Sequence, residues 1–327
     1  MPNKIFEKIC KQLNLGELQQ TPTPLKGGFM HKMFSMFTSN GRFAVKLLNP
    51  YVMQRETVFE NYAVAESLEK KLEASNIPIL PSLTFNGTKM QEIDGQFFYV
   101  FEYFNGKPLK NDEITVEHCR KIGQYLAEIH SIEELDAPYN RNEINIDWDF
   151  FIAKMEFAND ELYQLLKPIR DLLYETQAKG NAAIKNLPAV VTICHNDMDS
   201  KNVLWNENAC RIIDLECLTY SSPFIELYEM ALCWSGYEKC DIDFKLFKEL
   251  ILSYKTSGGQ FPESWETVYY SSYGRLEWLE YNAKRALGID CGEDEKEMGI
   301  SEVKETIAHI IYYSKVKDDI LNCLSTL

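Results

Sequence analysis

Residues 193–216 read ICHNDMDSKNVLWNENACRIIDLE. Val190–Cys194, Asn202–Trp205 and Arg211–Leu215 have the composition of short strands, and the chain around them has helical periodicity. An island of short strands among helices is where loops hold polar side chains in fixed positions. The loop carries His195-x-Asp197, then Asn202 five residues after the Asp. Asp214 follows twelve residues after Asn202, at the end of an apolar run. A carboxylate beside an acceptor hydroxyl orients it and takes its proton. An amide and a carboxylate are hard oxygen ligands that suit magnesium, with phosphate and water completing the octahedron. Asp197 fits the first task, Asn202 and Asp214 the second. Phosphoryl transfer requires both.

The complementary half lies upstream. Ala44-Val45-Lys46 sits in the strand-like run RFAVKLL (residues 42–48), a position from which a lysine reaches the α- and β-phosphates of a nucleotide. A helix is expected over 52–74 from the spacing of Val52, Phe59, Tyr62, Ala63 and Leu68. Glu60 on that helix is the expected partner of Lys46, with Glu56 one turn earlier on the same face as the alternative. Gly27 and Gly28 form a turn between strands that is a candidate cover for phosphates. Asn40-Gly41, Asn86-Gly87 and Asp94-Gly95 are hairpin signals. The first hundred residues therefore read as a mostly antiparallel sheet with one substantial helix, and a turn cluster at Asn105–Pro108 marks the lobe boundary. We place the N-lobe at 1–104 and a helical C-lobe at 105–327. Helices are expected near 3–20, from 114 onward with Ile122, Tyr125, Leu126 and Ile129 on one face, and near 147–180, 223–235, 241–256, 263–288 and 301–325.

Composition narrows the function. The chain has 327 residues, 45% of them apolar, and a net charge of −15. That length predicts about two domains. Residues 1–108 are slightly basic at +2, and residues 109–327 carry −17. An acidic chain does not bind nucleic acid through a global positive field. No apolar stretch reaches the roughly 20 residues of a membrane helix, and the N-terminal segment has no apolar signal core. Nine scattered cysteines without a C-x-x-C pair suggest neither a disulfide framework nor a zinc ribbon, so a reducing cytoplasmic compartment is expected. In Arg275–Tyr281, Glu277, Glu280 and Tyr281 share a helical face, and carboxylates beside aromatics suit an amine or quaternary ammonium. Glu216 is a further candidate, for a second metal or a substrate amine. His195 and His130 read as structural histidines.

With RFAVKLL, VFEYFNGKPL, YLAEIH, ICHNDMDSKNVLW, IIDLE and SPFIELYEMA in order, the chain resembles the aminoglycoside phosphotransferase and choline kinase-like superfamily. The resemblance runs from about residue 25 to about 235. It implies an α+β, bilobal protein-kinase-like fold with an antiparallel-sheet N-lobe and a mostly helical C-lobe. It implies ATP or GTP as co-substrate, Mg2+ as cofactor and a small-molecule hydroxyl as acceptor. By position, Asp197 is the base, Asn202 and Asp214 the magnesium ligands and Lys46 the phosphate lysine, and Glu102, Tyr103 and Phe104 are the hinge facing the base. The chain departs from the pattern in three places. The glycine turn is Gly27-Gly28-Phe29-Met30-His31 and not G-x-G-x-x-G. Asp199 stands where protein kinases have a lysine, with Lys201 two residues on. Glu226 replaces the Asp of many relatives. An aminoglycoside-like acceptor is the leading expectation. Choline, another amino alcohol or a metabolite sugar comes next, and a non-catalytic nucleotide-binding module of the same fold is the distinct alternative. The protein is expected to be a monomer or weak homodimer, with no nucleic-acid or membrane partner.

Overall fold

Turn chemistry builds the N-terminal sheet. The computed structural model describes residues 3–25, 31–139, 141–289 and 291–327. The chain opens with α1 (Asn3–Leu13), followed by β1 (Thr23–Leu25), β2 (Lys32–Thr38) and β3 (Gly41–Leu47). After α2 (Val58–Ala74) come β4 (Gln91–Ile93) and β5 (Gln96–Glu102). The five strands form one sheet in the order β1-β2-β3-β5-β4, antiparallel throughout. Asp94 and Gly95 both have positive φ, 50° and 79°, as the tight turn between β4 and β5 requires. Asn86-Gly87 closes only a one-residue bridge, Phe85 to Thr88. Strand alternation gives the sheet two faces. Met36, Val45, Phe98 and Val100 pack against Phe6, Ile9, Cys10 and Leu13 of α1. Leu48 and Tyr99 pack with Val58 and Tyr62 of α2.

The helical stripe of α2 differs from the expected one. Val58, Tyr62, Ala65, Leu68 and Leu72 are buried, whereas Phe59 is half-exposed and Ala63 is exposed. Residues 52–54 form a separate 3-10 turn, so the helix starts six residues later than expected. This new phase also decides where Glu60 points.

Beyond residue 114 the elements are α3 (Val116–His130), β6 (Glu134–Leu135), α4 (Trp148–Ala158), α5 (Asp160–Leu166), α6 (Arg170–Ile184) and β7 (Val191–Cys194). They continue with β8 (Val203–Trp205), β9 (Cys210–Ile212), β10 (Thr219–Ser221), α7 (Pro223–Cys233) and α8 (Phe244–Thr256). The chain ends with α9 (Trp265–Ser271), α10 (Leu276–Ala286), α11 (Glu293–Lys315) and α12 (Lys317–Ser325). The expected 147–180 helix is three, because Asn159 stops α4 and caps α5 with its side chain on the Leu162 N–H, and Pro168 forces a 3-10 turn. The expected 263–288 helix is also interrupted. Tyr273, Gly274 and Arg275 are consecutive left-handed residues, with φ of 56°, 54° and 72°. Tyr273 is held there by burial and by its hydroxyl on Asn181 Oδ1 at 2.7 Å.

The chain forms two compact units, residues 1–113 with 195–219, and residues 114–194 with 220–327. The expected lobe boundary fell at 104; the first unit runs nine residues further and takes back the 195–219 segment. Hydrogen bonds explain the return. Ile212 N–H donates to Pro78 O at 2.9 Å and Leu80 N–H donates to Ile212 O at 2.8 Å. Lys107 and Trp205 exchange backbone bonds of 2.9 and 2.8 Å. The β8–β9 hairpin is thus tied at both ends to the sheet-bearing unit. Gly106 makes room for this, since a Cβ there would meet the Phe104 ring at 2.4 Å. The second unit has its own core, with Trp148, Phe151, Leu173, Leu276 and Leu279 buried together.

Candidate active site

The first unit brings together most of the polar residues singled out in the sequence. His195 is fully buried and joins the two arms of the loop. Its Nε2–H donates to Ile213 O at 3.0 Å, and its Nδ1 accepts the Asp197 N–H at 3.3 Å. Asn202 points its amide nitrogen back at Asp197, 2.7 Å from the carbonyl oxygen and 2.8 Å from Oδ2. That nitrogen is spent, so Asn202 Oδ1 is the atom left to bind a cation. Ile213 N–H donates to Asn202 O at 2.9 Å, which sets Asp214 beside the loop in a left-handed conformation, φ 64°.

A single lysine offsets part of the negative charge around Asp197. Lys201 Nζ lies 3.3 Å from Asp197 Oδ1 and 2.9 Å from Asp199 Oδ2. Asp199 also accepts the Lys201 N–H at 2.8 Å, so it fixes both ends of that lysine. Burial raises the Asp197 carboxyl above the ordinary carboxylate range, and Asp199 and Asp214 add to this while Lys201 and His195 oppose it.

Lys46 on β3 is buried and forms ion pairs with Asp214 Oδ1 and Glu216 Oε2. Burial alone would lower the ammonium; the two carboxylates outweigh it and raise it. Glu216 is also half of a second contact, 3.1 Å from Oε1 to His31 Nε2. Burial would lift the Glu216 carboxyl, but Lys46 and His31 hold it down at about 2.

Glu60 is not part of this cluster. Its side chain is exposed, as is that of Glu56, and neither is an ion-pair partner of Lys46 among the described residues. The buried stripe of α2 turns Glu60 outward. Glu66 faces the sheet instead, accepting the Tyr99 hydroxyl at 2.9 Å. Gly27 and Gly28 lie outside the described residues. At the expected hinge, Glu102 ends β5 opposite Phe43. The Tyr103 N–H donates to Arg42 O at 3.2 Å, and the Arg42 guanidinium stacks 3.5 Å over the Tyr103 ring. Phe104 lies under the Arg211 guanidinium.

In the second unit the expected acceptor face is largely neutralised by the protein itself. Glu277 pairs with Arg141, Glu280 pairs with Lys284 at 2.7 Å, and Tyr281 stacks on Trp278 with centroids 5.5 Å apart. A carboxylate missed in the sequence has no such partner. Glu229 on α7 has no hydrogen bond or ion pair among the described residues. Burial pushes its carboxyl up to about 7, against the pull of Arg141 and Arg275. Its signal was the spacing Glu226-x-x-Glu229, which puts both residues one helical turn apart. Glu226 itself is structural: its Oε2 lies 2.7 Å from His130 Nε2, and His130 Nδ1 lies 3.0 Å from the Tyr254 hydroxyl.

An antiparallel sheet with a buried strand lysine, hydrogen-bonded to a loop carrying H-x-D-x-x-x-x-N and a later Asp, defines a kinase-like phosphotransferase fold. The model of the phosphotransferase enzyme family matches residues 21–244, and the chain belongs to that family. The bilobal α+β fold expected from the sequence is the one found. A spectinomycin phosphotransferase solved with ADP and spectinomycin superposes with a TM-score of 0.70 at 13% identity, covering 95% of this chain and 98% of its own. An amicoumacin kinase gives 0.58 at 10% identity, over 94% and 96%. The choline kinase of Cryptosporidium parvum Iowa II gives 0.51 at 14% identity, over 98% and 96%. At these identities the likeness is one of fold. No curated protein sequence matches the chain. Among the described residues no helix is long and apolar enough to cross a membrane.

Proposed function

We propose that this phosphotransferase moves the γ-phosphoryl group of ATP or GTP to a hydroxyl of a small cationic molecule, with an aminoglycoside-like acceptor as the leading class. The observation that carries the reading is the grip on Asp197. Asn202 and Lys201 hold its carboxylate from two sides, in the same compact unit as Lys46, Asp214 and Glu216. Asp197 orients the acceptor hydroxyl and takes its proton, and Lys46 leaves its carboxylates to hold the phosphates. The donor set suits magnesium: Asn202 Oδ1, freed by the use of its nitrogen, and the Asp214 carboxylate are hard oxygens. When bound, the ion neutralises charge on the transferring phosphates. Glu102, Tyr103 and Phe104 form the proposed base-facing hinge. The unpaired Glu229 supplies the proposed negative charge for an acceptor amine, and Glu277 and Glu280, beside Tyr281, add to it where the amine displaces Arg141 and Lys284 from them.

The test is acceptor-dependent nucleotide consumption with magnesium. ATP and GTP are each offered with aminoglycosides, amino alcohols and metabolite sugars. Turnover with at least one amine-bearing acceptor is expected. Asp197→Ala should lower kcat by at least about a thousandfold while leaving nucleotide affinity within a few-fold. Retained turnover in that variant removes Asp197 as the base. Nucleotide binding without turnover on any acceptor would favour a binding module.

A further inference from the structure

Glu216 is held at both oxygens, and the second holder belongs to neither the loop nor the lysine strand. His31 begins the described chain after Met30, next to β2. Its Nδ1 accepts the Asn49 N–H at 3.0 Å. A ring that accepts at Nδ1 carries its proton on Nε2, and that nitrogen faces Glu216 Oε1 at 3.1 Å. The Tyr62 hydroxyl lies slightly farther from the same nitrogen, at 3.3 Å. His31 and Tyr62 are both buried, so water does not compete for this donor. The Asn49 N–H therefore selects the tautomer that lets the ring donate to Glu216.

Resting on the phosphotransferase reading, we propose that His31 is a positioning residue for the phosphate–metal centre, acting through Glu216. In the structure Glu216 Oε2 is taken by Lys46. Once Lys46 turns to nucleotide phosphates, that hold is lost, and His31 remains as the fixed donor that keeps the Glu216 carboxylate beside Asp214. A donor to a charged acceptor is worth more than a neutral one, and its removal leaves Glu216 free to rotate out of the centre.

The two ring nitrogens can be separated by mutation. His31→Asn keeps an acceptor near the Nδ1 position for Asn49 and loses the donor to Glu216. His31→Gln keeps a donor near the Nε2 position. Binding of a fluorescent ATP analogue is titrated with magnesium and with EDTA for the wild type, His31→Ala, His31→Asn, His31→Gln, Glu216→Gln and the double variant His31→Ala/Glu216→Gln, after thermal melts confirm folding. The expected result is about a tenfold weaker affinity in magnesium for His31→Ala and His31→Asn. His31→Gln should stay within about threefold of wild type, and none of the His31 variants should change affinity in EDTA. The double variant should be no weaker than Glu216→Gln alone, because the histidine acts through that carboxylate. Rescue by His31→Asn but not His31→Gln, an equal loss in EDTA, or an additive loss in the double variant would each overturn the proposal. A wild type that binds no nucleotide in either condition would instead remove the phosphotransferase reading, and this inference with it.

Discussion

At the scale of single residues, the candidate base is paired with a lysine that stands at one of the motif's open positions. Lys201 reaches Asp197 because Asp199 fixes both its backbone and its ammonium. This cation opposes the burial that raises the Asp197 carboxyl. Asp197 must be ionised to accept a proton, so Lys201→Met raises its pKa further and the acid limb of the kcat/KM–pH profile moves to higher pH. An unmoved limb would show that Lys201 does not govern the base. Residue identities in the loop were legible because their spacing is local. Asp197, Asn202 and Asp214 each stand at a fixed distance along one short stretch, and the structure groups them. The partner of Lys46 was not legible. Glu60 had suitable sequence spacing, but pairing across a fold depends on helix phase, and the buried stripe of Val58, Tyr62, Ala65, Leu68 and Leu72 turns it to solvent. Glu216 takes that place from 170 residues away, a separation that leaves no local pattern.

At the scale of elements, most strands and helices followed from turn residues and apolar spacing, and the errors lie at breaks. The run Tyr273–Arg275 has one glycine, and local propensity does not predict left-handed Tyr and Arg beside it. Tertiary contacts impose the break, as the buried Tyr273 hydroxyl on Asn181 indicates. Helix α7 carries a different tension. Burial pushes the Glu229 carboxyl up to about 7, from an ordinary value of 4.5. A raised carboxyl leaves the protein unpenalised below about pH 4.5 and costs stability increasingly as pH rises towards 7. Glu229→Gln should therefore stabilise the fold at pH 7.5 by on the order of 3 kcal/mol, read as a higher melting temperature. The gain should vanish near pH 4.5. A pH-independent difference between the two proteins would remove Glu229 as the source. Binding of an ammonium at this carboxylate would relieve the same cost, which is why an unpaired acid is a suitable place to recognise an amine.

For the whole molecule, the two-lobed reading was accessible from composition and periodicity, while the route of the chain was not. Residues 195–219 lie in the sequence between helical segments but complete the sheet-bearing unit through Pro78, Leu80 and Lys107. Such pairing is read only in three dimensions. A fragment of residues 1–113 lacks these partners and leaves Lys46 buried without its carboxylates, and an uncompensated buried charge is strongly destabilising. It should show no cooperative thermal transition by circular dichroism. The same fragment extended by residues 195–219 through a flexible linker should recover one. A cooperative melt of 1–113 alone would show that the returning segment is dispensable for folding.

The pairing of Lys46 with Asp214 across 168 positions also bears on how such a gene can be shuffled. A crossover anywhere between the two codons gives a chimera whose lysine comes from one parent and whose counter-charges come from the other. Parents that place those charges differently yield hybrids with a mismatched centre, even when each exchanged block is sound in itself. The lysine–carboxylate centre of this protein is thus inherited as two distant stretches that must evolve in step.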